Sequence, residues 1–200
     1  MRIRTTQNDP KTASTSSLFS SSMFEIVDGL WIGNLRSLSS IAKTNKENKE
    51  VSGRSDGNDK SNDWTIVSLV NGERFVAFVD ATTKLAGLPD EALFVWQLPD
   101  KSGADFLSEN LLTCLDKIDD SIQAGRPCLV HCALGISRSA AVCTAWLISR
   151  RNMTLQDALG LVRTAKPDVL PNMGFLASLR AIEQCNGNIE AARKRLEPAK

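Results

Sequence analysis

The sequence predicts a single α/β domain with a central sheet packed between helices. Three observations support this. Short apolar runs bounded by turn residues come early in the chain. Apolar positions at helical spacing dominate after residue 105. The composition, 42% hydrophobic and 24% charged over 200 residues, suffices for one core.

Taken in order, residues 1–23 read as a disordered tail, polar and rich in serine (Ser14, Ser16, Ser17, Ser20, Ser21, Ser22). The domain is expected over 24–185. Ile26 and Val27, then Leu30, Trp31 and Ile32 after Asp28-Gly29, predict a tight β-hairpin. Residues 36–63 carry only Leu38, Ile41, Ala42 and Val51 as apolar side chains. So little apolar surface does not offset the entropy of ordering, and a disordered insertion is expected. Residues 64–74 are ambiguous. Thr65 to Val70 before Asn71-Gly72 fits a hairpin arm or a short helix. The apolar runs at 75–79, 93–98 and 128–131 are expected as strands, the first of them buried.

Helices follow. Asp105 is expected to cap one with Leu107, Leu111, Leu115, Ile118 and Ile122 inward, ending at Gly125. A second covers Ser139 to Arg150. Thr154-x-x-Asp157 resembles a capping box opening a third, which ends before Pro167. Asn172 is expected to cap a fourth. Residues 186–200 read as a helical turn, capped by Asn188, and a tail.

The formal net charge is +1, which gives no electrostatic case for nucleic acid or an anionic membrane as partner. No apolar run approaches the ~18 residues of a membrane span. Met1, Arg2 and Arg4 lead into polar sequence, not an apolar leader, so a cytoplasmic or nuclear location is expected. The five cysteines (Cys114, Cys128, Cys132, Cys143, Cys185) are odd in number and contain no C-x-x-C pair. They do not suggest a disulfide framework, and with His131 as the one histidine neither a metal nor a cofactor is expected. Cys114, Cys128, Cys143 and Cys185 are simplest as core packing.

The chemistry lies between the strand at 128–131 and the next helix. Val130-His131-Cys132-Ala133-Leu134-Gly135-Ile136-Ser137-Arg138-Ser139 presents consecutive N–H groups and a helix N-terminus to one point. Such a loop binds phosphate. Arg138 is far enough along to fold back and grip two phosphate oxygens. The same donors favour an ionised, nucleophilic sulfur on Cys132. His131, adjacent on the strand, points to the opposite face, so a Cys–His dyad has poor geometry. It is expected to hydrogen-bond the loop from behind.

This stretch resembles the H-C-x5-R-[ST] signature of the cysteine-dependent protein phosphatases, and its Ala-Leu-Gly-Ile-Ser-Arg-Ser form is most similar to the dual-specificity subfamily. Leu30-Trp31-Ile32-Gly33-Asn34, Ala145-Trp146-Leu147 and Pro171-Asn172-x-Gly174-Phe175 extend the resemblance. It implies the phosphatase fold, a mostly parallel sheet flanked by helices, and tips residues 64–72 towards helix. It also implies roles. Cys132 attacks phosphorus, and Arg138 with the amides of Ala133, Leu134, Gly135, Ile136 and Ser137 holds the phosphate oxygens. Ser139 donates to the sulfur as it leaves. The family's general acid is the first of two aspartates five positions apart, here Asp100, with Asp105 the second. Asn172 supports the loop.

Three functions stay open at this level: a protein phosphatase acting on phosphotyrosine and phosphoserine/phosphothreonine, a phosphoinositide or RNA 5′-phosphatase of the same fold, and a catalytically weak phosphoprotein-binding module. The first is preferred, as a monomer acting on phosphorylated protein. Cys132 and Arg138 are both present, and Ala133, Leu134 and Ile136 add no cation to the loop.

Overall fold

The computed structural model describes residues 22–52 and 64–197. Strands β1 (Met23–Val27), β2 (Leu30–Gly33), β3 (Thr65–Val70), β4 (Leu93–Gln97) and β5 (Cys128–Cys132) form one sheet, ordered β1-β2-β5-β3-β4. β1 and β2 are the antiparallel hairpin, turning at Gly29 with φ 83°. The other pairings are parallel. The helices are α1 (Leu35–Ser52), α2 (Glu73–Leu85), α3 (Glu109–Gln123), α4 (Arg138–Arg151), α5 (Leu155–Ala165), α6 (Met173–Gln184) and α7 (Ile189–Leu196).

Strand alternation divides the core into two layers. Ile66 and Val70 of β3 and Leu129 of β5 face α1 and α2, joining Leu38, Ile41 and Val79. Val67, Leu69, Cys128, Val130 and Cys132 face the other way, towards α3–α7 and the buried Trp146, Phe106 and Phe175. With both faces covered, β3 and β5 are buried along their whole length, and an all-apolar or nearly apolar run results. Asp119 ties α3 to α4: Trp146 Nε1 donates to it at 2.8 Å and Arg150 Nε pairs with it at 2.7 Å.

Four expectations need correction. Residues 65–70 are strand β3, not helix, and 75–79 lie within helix α2, not in a strand. Gly72, with φ 98°, breaks the two apart. A five-residue apolar run shows no period by itself. Continued to Val79, Thr82 and Thr83, which are buried, it is a helical stripe. Both threonine hydroxyls donate to carbonyls one turn back, Phe78 and Val79, at 2.7 Å, which lets them lie inside.

The segment 36–63 is not a disordered insertion through its first half. α1 runs to Ser52, with Leu38, Ile41, Ala42 and Asn45 buried. Those positions are i, i+3, i+4 and i+7 of one face. Asn45 Nδ2 donates to Ala86 O at 3.1 Å, so a polar residue continues the stripe. Counting apolar residues missed their spacing. Residues 53–63 and the tail up to residue 21 lie outside the described residues.

Asp105 is exposed and caps nothing; Ser108 is the N-cap of α3, which starts at Glu109. The helical turn expected after Asn188 is helix α7, Ile189–Leu196, with Ile189 and Ala192 in the main core. The caps at Thr154, Asn172 and Asn188 are as expected, each side chain accepting from the N–H three residues on. Among the described residues no helix is long and apolar enough to cross a membrane.

Candidate active site

β5 delivers Cys132 to the C-terminal edge of the sheet, and α4 begins six residues later at Arg138. The loop between them is tightly wrapped. Gly135 has φ 73°, and a Cβ there would lie 2.7 Å from Gly33 O, so only glycine fits. Leu170 N donates to Ile136 O at 2.9 Å, holding the loop from the α5–α6 side.

Cys132 is buried, with 1% exposure. Its Sγ accepts from Gly135 N–H at 3.2 Å and lies 3.4 Å from Ser139 Oγ. Donors in these positions stabilise negative charge on sulfur. Arg138 is nearly buried. Its Nη1 donates to Leu98 O at 3.3 Å, and its Nε lies 3.6 Å from Asp100 Oδ2.

Asp100 follows β4 through Leu98-Pro99 and leans over the loop. Its Oδ1 accepts from Ser137 Oγ at 2.7 Å and from Asn172 Nδ2 at 2.8 Å. Asn172 is a junction of three bonds. Besides that donation, its Oδ1 accepts from Phe175 N–H at 3.0 Å, and its own N–H donates to Ser137 Oγ at 3.2 Å. Cys132, Ser139, Arg138, Asp100 and Asn172 therefore meet at one place. Asp105 does not join them.

Ser137 does more than supply an amide: its hydroxyl links Asp100 to Asn172. Lys166 was not foreseen either. It is buried, paired with Asp168, and its Cε lies 3.2 Å from where a Gly135 Cβ would be. The local sequence Lys166-Pro167-Asp168 carries no signal for that contact, which depends on how α5 crosses the loop. Gly174 is similar: a Cβ there would come 2.2 Å from Ser102 O, so α6 seats directly on the loop bearing Asp100.

His131 is the site residue that does not behave as expected. It lies on the α1–α2 face of the sheet, fully buried, and neither ring nitrogen has a hydrogen-bond partner. It does not hold the loop from behind. Ser68, opposite it in the β3–β5 register, is likewise unpartnered at Oγ. Burial pushes the His131 imidazole down to about 4, opposed by the adjacent Cys132 backbone and reinforced by the Arg138 charge. The other core thiols are inert by the same cause: burial pushes Cys128 up to about 12 and Cys114 and Cys143 above the ordinary thiol range.

A pocket of about 160 Å³ opens over the loop, lined by Val70, Asn71, Phe75, Asp100, Ala133 and Arg138. Among these lining residues Arg138 is the one cation and Asp100 the one acid.

A family model described as the catalytic domain of dual specificity phosphatases matches residues 77–185, more than half of the chain. The chain belongs to the dual specificity phosphatase family. Dual specificity phosphatase 28 of Mus musculus is 43% identical over 81 residues, covering 38% of this chain and 50% of the relative. Dual specificity protein phosphatase 1B of Arabidopsis thaliana is 35% identical over 97 residues, 48% of this chain and 58% of the relative. The chain thus spans about half the length of the curated relatives it matches. Two crystal structures share the fold. Human DUSP28 superposes with a TM-score of 0.62 at 24% identity, covering 85% of this chain and 98% of the other. DUSP15 gives 0.61 at 18% identity, with 89% and 97% covered. The family resemblance and the mostly parallel phosphatase sheet expected from the sequence are both borne out.

Proposed function

We propose that the protein is a cysteine-dependent dual-specificity protein phosphatase that works through a phosphocysteine intermediate. The observation that carries this reading is the convergence on Cys132 Sγ of the Gly135 N–H and the Ser139 hydroxyl, with Arg138 and Asp100 beside them.

In the first step the Cys132 thiolate attacks phosphorus and the bond from phosphorus to the leaving oxygen breaks. Arg138 and the loop N–H groups take up the charge that grows on the equatorial oxygens. Asp100, carrying a proton, gives it to the departing alkoxide or phenoxide. Its Oδ1 is already engaged by two donors, so Oδ2 is the oxygen left to hold that proton. In the second step Asp100, now a carboxylate, takes a proton from water as the water attacks phosphocysteine. The S–P bond breaks, Ser139 donates to the sulfur, and inorganic phosphate leaves.

Phosphorylated protein suits this pocket. With Arg138 as the one lining cation, an inositol polyphosphate or a triphosphate would bring charges that find no partner within the pocket itself. An unpaired desolvated charge costs several kcal/mol, or about 100-fold or more in preference. The test is kcat/KM on matched phosphotyrosine and phosphothreonine peptides beside a phosphoinositide and a 5′-triphosphate RNA. Both peptides should be turned over, phosphotyrosine faster because its phenoxide leaves more readily. A lipid or RNA rate above both peptide rates would contradict the proposal.

A further inference from the structure

A second depression lies beside the catalytic pocket, between α1 and α2. It is a groove of about 410 Å³ lined by Leu35, Arg36, Ser39, Arg74, Phe75 and Phe78. Phe75 and Phe78 are each 45% exposed, side by side on α2. A large aromatic left this open on a helix whose other face is packed is not explained by the core. Arg36 and Arg74 are also exposed, and neither is paired with a carboxylate among the described residues. The same helix carries two acids: Asp80 is engaged with Lys84, and Glu73, in the first turn, makes no ion pair with either arginine among the described residues. The groove is thus an apolar floor between two guanidinium groups that have no carboxylate partner among the described residues.

Its position gives it a use. Phe75 lines both this groove and the pocket over the phosphate-binding loop, so the two lie side by side. At the other end Leu35 N–H reaches Ala133 O of the phosphate-binding loop at 3.5 Å. Any polypeptide whose phosphorylated side chain enters the pocket must run its neighbouring residues along the rim, and this groove is open there.

We infer that the α1–α2 groove is a substrate subsite that takes a large apolar side chain flanked by a carboxylate, from the same polypeptide that presents the phosphorylated residue. The inference rests on the phosphatase reading for the entry of the phosphorylated side chain. Phe75 and Phe78 supply the apolar contact. Arg36 and Arg74 select an acidic neighbour and disfavour a basic one, an effect that weakens as salt rises.

The experiment uses phosphotyrosine peptides of one length with three flanks: Phe with Glu, Ala with Gly, and Phe with Lys, each set on either side of the phosphorylated residue. The Phe–Glu flank on one side should raise kcat/KM about tenfold over Ala–Gly, the scale of burying part of an aromatic side chain. Phe–Lys should fall between them. Phe78→Ala and the pair Arg36→Glu, Arg74→Glu should abolish the advantage while leaving the rate on p-nitrophenyl phosphate as in the wild type. Affinity of the Cys132→Ser protein for the same peptides reports the groove without turnover. Equal affinities across the flanks, or an advantage that survives Phe78→Ala, would overturn the subsite. A preference in affinity with no wild-type turnover of any phosphate would uphold the subsite and overturn the phosphatase reading alone. Binding to phosphatidylserine vesicles that depends on Phe78, with no flank preference, would assign the patch to a membrane and overturn the inference.

Discussion

Asn172 is expected to serve the stability of α6 and the aim of Asp100 through different atoms, and substitution can separate them. Asn172→Ala removes the cap acceptor 3.0 Å from Phe175 N–H and the donor 2.8 Å from Asp100 Oδ1. Loss of an N-cap costs about 1 kcal/mol. The bond to Asp100 is exposed, and the acid it holds is neutral in the first step, so its loss is worth about 1–1.5 kcal/mol at most. If that energy holds the acid in place during catalysis, turnover falls about tenfold. Asn172→Ser keeps a cap acceptor but is too short to reach Asp100. It should retain nearly all the stability and still lose the tenfold. The assay pairs urea unfolding with kcat on two aryl phosphates, one with a good and one with a poor leaving group. The deficit should be larger for the poor leaving group, which depends more on protonation. A full rate for Asn172→Ser on both substrates would refute the reasoning and leave Asn172 as a helix cap only.

Other outcomes follow from the same geometry. Asp100→Asn should lower turnover by roughly 10²–10⁴, most for poor leaving groups, with Asp105→Asn near wild type; the reverse pattern would move the acid to Asp105. The neutral burial of His131 should make the fold acid-sensitive. Its imidazole is lowered from 6.5 to about 4, so between those values the unfolded chain binds a proton that the folded chain refuses. The stabilisation is complete above about pH 6.5 and lost by about pH 4, amounting to roughly 3 kcal/mol. Because the chain has one histidine, urea midpoints measured from pH 6.5 to 5 report that group, and a flat profile would contradict its burial. Ile41→Ala in α1 should cost about 2–5 kcal/mol, as large-to-small changes in a core do. An unchanged urea midpoint would mean that α1 does not pack on the sheet.

The strand–loop–helix unit around Cys132 was legible because chemistry and local structure coincide there. A glycine, a cysteine and an arginine at fixed spacing describe a phosphate loop whatever surrounds it. The capped helices were legible for a similar reason: Thr154, Asn172 and Asn188 each act within three residues. What stayed hidden depends on distant partners. β3 and α2 were exchanged because both are short apolar runs, and the sheet position that decides between them is set by β4 and β5. α1 was missed because half its inward stripe is small or polar, and Asn45 finds its acceptor at Ala86, across the layer. The Ser137–Asp100–Asn172 linkage joins residues up to 72 positions apart, and no local pattern announces it. His131 was placed on the correct face by strand alternation, but its lack of a partner is visible only once the core closes around it.

The measurement that bears most directly on the central claim is a rapid acid quench of the protein with a phosphotyrosine peptide, followed by mass mapping of the modified residue. The account predicts one phosphoryl group on Cys132, present during turnover and accumulating further in a variant slowed in the second step. Cys132→Ser should carry none and show no turnover. Turnover by Cys132→Ser near the wild-type rate, or a phosphoryl group mapped to any other residue, would contradict it.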